Sequence, residues 1–389
     1  MDSRNLFESH FSKGLNTTHA FSFWKARVAF YAALKALGIG AGDEVMLSGY
    51  TCVMNVNPIK YLGAKPIYVD IEPKTYNLNP DRIEAQITPR TKVLLAQHTY
   101  GYPCDMDRIL SIAQKHNLTV IEDCCLAMGS TYKGKTVGTF GKAAYFSFQW
   151  NKPITSGLGG MLVTSDDLLA KEIRRLCDTE MVQPVCKEIA LLAMELAVYR
   201  TLIYPRTTAL AQQLFRFLTK KGAVVGSSSS AEFDPVMAPD FFKAMSPIQA
   251  KSGTNQFKNL QKKSEHRKQM ARLYDRLLSE IGYQPVEYNP AIIDPVLVRY
   301  PIRVKDKDRA MRDAAAAGVE LGSWFECPLH PIETPLEKYD YTPGQCPEAE
   351  KACREVVNLP LHPRAGEATA RRTVKFIQKY LPDNRQSGI

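Results

Sequence analysis

Along the first half of the chain, apolar positions fall into two alternating patterns. Short apolar runs at 44–48, 66–71, 93–98 and 120–122 read as strands, and an alternating run at 143–148 is followed by a glycine-rich turn and a further strand at 161–164. Residues 24–34 carry apolar positions at helical spacing, and 54–62, 80–87, 106–116 and 168–176 are also predicted helices. Strands that alternate with helices in this order predict an α/β fold: a mostly parallel sheet covered by helices on both faces. In such a sheet, ligands collect beyond the carboxyl ends of the strands. No element is predicted for residues 1–20, an N-terminal arm.

The second half is patterned differently. An apolar run at 189–205 is followed by a shorter one at 214–221. The first is too short to span a bilayer and is interrupted by Glu195 and Arg200. With Arg216, Lys220 and Lys221 nearby, residues 185–225 could instead lie on a membrane surface, although buried helices share the pattern. A glycine and four serines at 226–230 read as a flexible link. A long basic helix is predicted over 245–278, then a strand at 296–304 and a helix at 310–317.

Two residues stand where chemistry would be placed. The segment FSFQWNKPITSGLGG at 146–160 carries Lys152 at the corner between two strands, five residues after Ser147. A lysine there could hold an aldehyde cofactor covalently while the serine hydroxyl binds its phosphate. Asp123 ends the strand at 120–122, where it would keep a pyridine nitrogen protonated and so let the ring withdraw electrons. Each has a plainer reading as well: a solvated loop lysine, and a carboxylate capping the next helix.

Composition narrows the picture only a little. The chain of 389 residues, 45% hydrophobic and 23% charged, is long enough for two substantial cores. Its formal charge of +10 suits an anionic partner such as a nucleotide diphosphate, and no nucleic-acid motif accompanies it. Nine cysteines without a CxxC pair read as reduced thiols of a cytoplasmic protein, and the polar residues after Met1 argue against a signal peptide. No metal site is expected.

Taken together, these landmarks resemble the DegT/StrS sugar-nucleotide aminotransferases, which have the fold type I pyridoxal-phosphate architecture. The resemblance covers about 21–381. It rests on ALGIGAGDEV at 36–45, LGAKPIYVD at 62–70, ITPRTK at 87–92, HTYG at 98–101, IED at 121–123, the lysine segment, and LPLHP at 359–363. It implies a large cofactor-binding domain at 21–250 with a helical insertion at about 181–239, and a smaller α+β domain at 251–389. It also implies pyridoxal 5'-phosphate held by Lys152, Asp123, Ser147 and the helix-start amides of Ala26, Arg27 and Val28. Tyr100, and His330 by its match to a substrate-side histidine, are expected on the substrate side. His98 could line the site but more often such a residue is structural. Glutamate as amino donor, a keto sugar linked to a nucleotide as acceptor, and a homodimer with its sites at the subunit interface are further implications.

Some positions depart from the family pattern. Leu126 replaces a glutamine that often contacts the cofactor hydroxyl, and Cys52 an aromatic residue that commonly stacks on the ring. Phe242 replaces an asparagine of the partner, and Leu158 breaks the usual Gly-Glu-Gly-Gly. Lys152, Asp123 and Ser147 are spared, so an active enzyme with an altered pocket is expected. Two alternatives stay open: a membrane-surface aminotransferase acting on a lipid-linked or other non-nucleotide substrate, and a catalytically weakened scaffold. The insertion has a further reading, as helices packed on the partner subunit or over the active site.

Overall fold

The computed structural model describes residues 2–201 and 233–382. The chain opens with a helix, α1 (Ser3–Leu15), where no element was expected. Phe7, Phe11 and Leu15 recur every four residues and give it one buried apolar face. Strand β1 (His19–Phe23) leads into α2 (Ala26–Ala36), buried from Arg27 through Leu34.

The predicted alternation follows, with boundaries shifted by a residue or two. It comprises β2 (Glu44–Ser48), β3 (Thr51–Cys52), α3 (Val53–Tyr61), β4 (Lys65–Val69), β5 (Thr91–Gln97), α4 (Met106–Lys115) and β6 (Thr119–Asp123). A hairpin of β7 (Thr131–Tyr132) and β8 (Lys135–Thr136) precedes β9 (Ala143–Ser147) and β10 (Gly160–Thr164). The helix expected over 80–87 is two short 3-10 turns, Pro80–Arg82 and Glu84–Gln86. Only Ile83 and Ile87 could form an apolar face there, too few to hold an α-helix on the sheet.

Seven strands form the main sheet in the order β1-β10-β9-β6-β5-β2-β4. All neighbours from β9 to β4 are parallel, whereas β10 runs antiparallel to both β9 and β1. Strands β2, β9 and β10 are buried along their whole length, as expected when helices cover both faces. The carboxyl ends of β5, β6 and β9 lie along one edge and deliver Gln97, Asp123 and Ser147.

Beyond the sheet come α5 (Asp167–Glu180), α6 (Cys186–Thr201), α7 (Pro247–Phe257) and α8 (Leu260–Glu280). The long helix expected over 245–278 is therefore two helices, broken at Lys258 and Asn259. The break lets them face different neighbours: Gly253 of α7 packs tightly on Phe7 of α1, while α8 buries Met270, Tyr274 and Leu277 against the C-terminal elements. A capping box between Ser246 and Gln249 starts α7.

The C-terminal part contains β11 (Ile293–Asp294), β12 (Tyr300–Arg303), α9 (Lys307–Ala316), β13 (Leu329–His330), α10 (Pro347–Glu355), β14 (Val356–Leu359) and α11 (Glu367–Ile377). Strands β12 and β14 pair antiparallel, and β13 pairs in parallel with β3 of the larger part. The largest apolar cluster runs unbroken from α2 to this small sheet. The apolar stretches at 214–221 and the link at 226–230 lie outside the described residues. No helix among the described residues is long and apolar enough to cross a membrane.

The start of β10 is pressed against the start of α2. A Cβ on Gly160 would stand 2.4 Å from Cα and 2.5 Å from N of Ala26, both backbone atoms that cannot swing aside. We expect Gly160→Ala to lower stability by roughly 1–3 kcal/mol, the usual cost of overpacking. The midpoint of urea unfolding measures it, and an unchanged midpoint would mean that the strand and helix are not in this close contact.

Candidate active site

A cavity of about 230 Å³ opens at the carboxyl edge of the sheet. One water occupies roughly 30 Å³ of liquid, so the space suits a ring-sized ligand rather than a single solvent molecule. Lys152, Asp123, Ser147, Ala26, Arg27, Cys52, Leu126 and His330 all contribute to its lining. Residues separated by more than three hundred positions thus meet in one place.

Asp123 is the most firmly fixed of them. It is buried, and a buried carboxylate must be hydrogen bonded to be tolerated. One oxygen accepts from Asn55 Nδ2 at 2.7 Å and the other from the Cys125 amide at 2.9 Å. Asn55 is positioned in turn: its Oδ1 accepts from the Tyr145 hydroxyl at 2.9 Å, and its Nδ2 also reaches Thr51 Oγ1 at 3.0 Å. Tyr145 is fully buried and stacks on Phe30 of α2 at 4.9 Å. Asn55 and Tyr145 escaped the sequence reading. The available signal was an asparagine within the otherwise apolar start of α3.

Lys152 sits in the loop between β9 and β10. The loop is closed by backbone hydrogen bonds from Phe148 to Gly159, Trp150 to Gly157 and Ser156 to Phe148, each 2.9 Å long. The Lys152 amide donates to Gln149 at 3.1 Å, turning the side chain inward, and Nζ lies 5.0 Å from the ring centre of Trp324. Burial pulls the amine below the ordinary lysine value, against the opposing pull of Cys125, Asp123 and Cys52; Arg299 adds to the lowering. Burial also pushes the Cys52 and Cys125 thiols up, so both are protonated near neutral pH.

The far end of the cavity is rich in donors. Ser147 Oγ has one long hydrogen bond, accepted from the Gln149 amide at 3.5 Å. Gly160, paired with Ser147 across the sheet, brings the start of α2 alongside. That helix has no acidic residue in its first turn and no side-chain cap, and Lys25 and Arg27 flank it. Such an N-terminus suits an anion. Val28 is the exception among the three expected residues: its amide donates to the Lys25 carbonyl at 3.1 Å and its side chain is in the core.

The substrate-side expectations divide. His330 reaches the cavity because β13 pairs with β3 and sets it beside Cys52. Its Nδ1 has no hydrogen-bond partner among the described residues, and burial brings its pKa down to about 4, so it is neutral at pH 7. Tyr100 is not brought to the cavity. It is fully buried at a φ of 57°, and its hydroxyl meets Tyr50 at 2.7 Å and the Trp324 carbonyl. It therefore supports Trp324 from behind. His98 also points elsewhere: Nδ1 accepts from the Cys104 amide, which leaves Nε2 to donate to Glu122 at 3.1 Å. Glu122 already accepts from the amides of Gly138, Phe140 and Gly141, so within the buried group of His98, Glu122 and Cys124 the histidine and the carboxylate are satisfied by hydrogen bonds. Phe242 packs on Phe23 and Tyr31 within its own chain.

The donor set fits pyridoxal phosphate. Ser147, the start of α2 at Ala26 and Arg27, the amine-bearing Lys152 and the fixed carboxylate of Asp123 all line the same space. Cys52 and Leu126 offer neither a stacking ring nor a polar contact.

Comparison with known proteins follows the same line. The model of the DegT/DnrJ/EryC1/StrS aminotransferase family matches residues 2–194 and 201–378. The GDP-perosamine synthase of Caulobacter vibrioides is 31% identical over 382 residues, covering 96% of this chain and 89% of that protein. The GDP-perosamine synthase of Escherichia coli O157:H7 is 48% identical over 163 residues, 42% of this chain and 45% of its own length. Among solved structures, DesV of S. venezuelae superposes with a TM-score of 0.75 at 24% identity, over 97% of this chain and 89% of that one.

The support of Asp123 can be tested without any ligand. Asn55→Leu removes a donor to Asp123 and an acceptor from Tyr145, both buried. We expect a loss of about 1–3 kcal/mol, the cost of stranding buried polar groups. Urea unfolding measures it, and a variant as stable as the parent would show that Asp123 is held by other groups.

Proposed function

Because the chain belongs to the DegT/DnrJ/EryC1/StrS aminotransferase family, we propose that it is a pyridoxal 5'-phosphate-dependent aminotransferase. It moves an amino group from glutamate to a keto group of a nucleotide-linked sugar, within the synthesis of a surface polysaccharide, lipopolysaccharide or secondary metabolite. The observation that carries this reading is the meeting of the Lys152 amine, the Asp123 carboxylate and the donors around Ser147 in one cavity.

When bound, pyridoxal phosphate supplies an aldehyde carbon and a ring that withdraws electrons from the carbon being deprotonated. Ser147 Oγ and the backbone amides of Ala26 and Arg27 would hold its phosphate, and Asp123 would hold the proton on its ring nitrogen. Lys152 would hold it covalently until an amino donor arrives. Nζ of Lys152 then moves the proton at the α-carbon of glutamate, and in the second half-reaction returns one to the carbon being aminated. The base form is required for this, and burial favours it by making the charged ammonium costly. Neutral His330 offers a hydrogen-bonding ring on the substrate side without adding charge. Trp324 and Phe325 line the same cavity and add apolar surface to it.

Several relatives have names that agree with this substrate class, the two GDP-perosamine synthases among them. A homodimer acting in the cytoplasm completes the proposal, supported by the family resemblance alone.

Replacing the amine tests the central assignment. Lys152→Arg keeps the charge but cannot bind an aldehyde or act as a base, and we expect the visible absorbance of the purified protein to vanish and turnover to fall by roughly 10²–10⁴ or more. The assay is mass-spectrometric detection of amino-group uptake by a panel of nucleotide-linked keto sugars with glutamate. Turnover retained by the variant would rule out this role for Lys152.

A further inference from the structure

Helix α6 takes no part in the chemistry above, yet it lies on the loop that carries Lys152. Leu192 approaches Gly157 so closely that a Cβ there would stand 2.8 Å from Cδ1 of Leu192. Leu192 and Leu196 are buried with Trp24 and Leu158, and Trp150 packs against them. Further along the helix, the Tyr199 ring meets Trp150 with centroids 4.8 Å apart. Its phenol also lies near the backbone N–H of Asn151, the residue before Lys152, whose influence favours the phenolate against the opposing effect of burial. Asn151 has a φ of 70°, in the left-handed region that asparagine enters more readily than most residues other than glycine, so it marks the turn that precedes Lys152.

The helix also holds the far side of the loop. Arg200 Nη2 donates to Ser252 Oγ at 2.7 Å, and that hydroxyl donates to the Thr155 carbonyl at 3.1 Å. At its other end, Glu188 accepts from Lys243 Nζ at 2.5 Å, and Val182 forms backbone bonds of 2.9 Å with Phe242 and Ala244. Contacts at Trp150 on one side of Lys152 and at Gly157 on the other, with Thr155 reached through Ser252, therefore bracket it. An element fixed at both ends and packed directly on Trp150, Gly157 and Leu158 restrains the loop as a brace restrains a joint.

We propose that α6 is such a brace and that Tyr199 is a positioning residue for Lys152, fixing the turn at Asn151 so that the amine is directed into the cavity. The inference rests on the reading of Lys152 as the reacting amine. Tyr199 touches neither the cavity nor any reacting atom; it acts through the Asn151 amide and the Trp150 ring. The buried face of α6 is thereby turned to the lysine loop, and Met194 and Val198 are exposed on the opposite side.

Tyr199→Phe keeps the ring and removes the phenolic oxygen. Its effect is read on the cofactor-free full-length chain, by following acylation of Lys152 with acetic anhydride across pH and quantifying the modified peptide. Asp123, Cys52, Cys125 and Arg299 face the amine, while Arg267 and Arg364 face Tyr199; all six stay unchanged in the variant. In the parent we expect the midpoint below the ordinary lysine value of 10.5. In Tyr199→Phe it should rise toward that value as the loop admits water, and kcat should fall roughly ten- to a hundredfold with little change in KM. Leu192→Ala, which loosens the helix but keeps the phenol, should show a smaller shift in the same direction. A parent midpoint as expected with Tyr199→Phe indistinguishable from it overturns the brace alone. A parent whose Lys152 titrates like an exposed lysine, together with turnover retained by Lys152→Arg, overturns both the brace and the assignment of Lys152.

Discussion

A carboxylate buried at the edge of a parallel sheet is the constraint from which the site follows. Asp123 can remain there only if fixed donors answer its oxygens, and those donors are the side chain of Asn55 and the amide of Cys125. Asn55 must then lie in the first turn of a helix that enters the sheet edge, with Thr51 and Tyr145 holding its own amide. Tyr145 stands two residues before Ser147 on β9 and stacks on α2. The requirement of one acid therefore fixes the relation between β6, α3, β9 and α2. These elements supply three walls of the cavity.

The fourth wall comes from the loop and from the C-terminal part of the chain. Lys152 is directed inward by a loop that is closed on itself and pressed from outside by α6. The Trp324 ring is approached by two basic side chains, with Lys152 Nζ at 5.0 Å and the Arg299 guanidinium at 4.7 Å from the ring centre. Tyr100, from the larger part, donates to the carbonyl of that same tryptophan. A residue expected to meet substrate thus serves to hold a residue that lines the pocket.

Much of this was legible because it depends on local pattern. Strand ends such as Asp123 and Ser147, and the corner at Lys152, are fixed by short apolar runs and glycines within a few positions of the residues concerned. The missing pieces depend on contacts between distant segments. Asn55 reads as an ordinary helix residue until Asp123 is known to face it, and Trp324 gains meaning only when β13 pairs with β3. Helix α1 is different, since Phe7, Phe11 and Leu15 already showed a four-residue repeat; it is the aromatic contacts with Phe146 and Phe148 that give the repeat a partner. The break at Lys258 could not be read locally either, because it is imposed by two cores that demand different directions.

The unusual residues of the pocket can be understood from the same pairing. Cys52 and Leu126 give the cavity small and apolar lining, and its aromatic lining comes from Tyr145 and, in the C-terminal part of the chain, from Trp324, Phe325 and His330. The parallel bridge between Thr51–Cys52 and Leu329–His330 places His330 beside Cys52, and the Thr51 amide donates to the Pro328 carbonyl at 2.9 Å. A wall joined by backbone hydrogen bonds cannot open by side-chain rotation alone. The C-terminal segment and the sheet edge are therefore joined through main chain, and Trp324 is the largest side chain that lines the cavity between them.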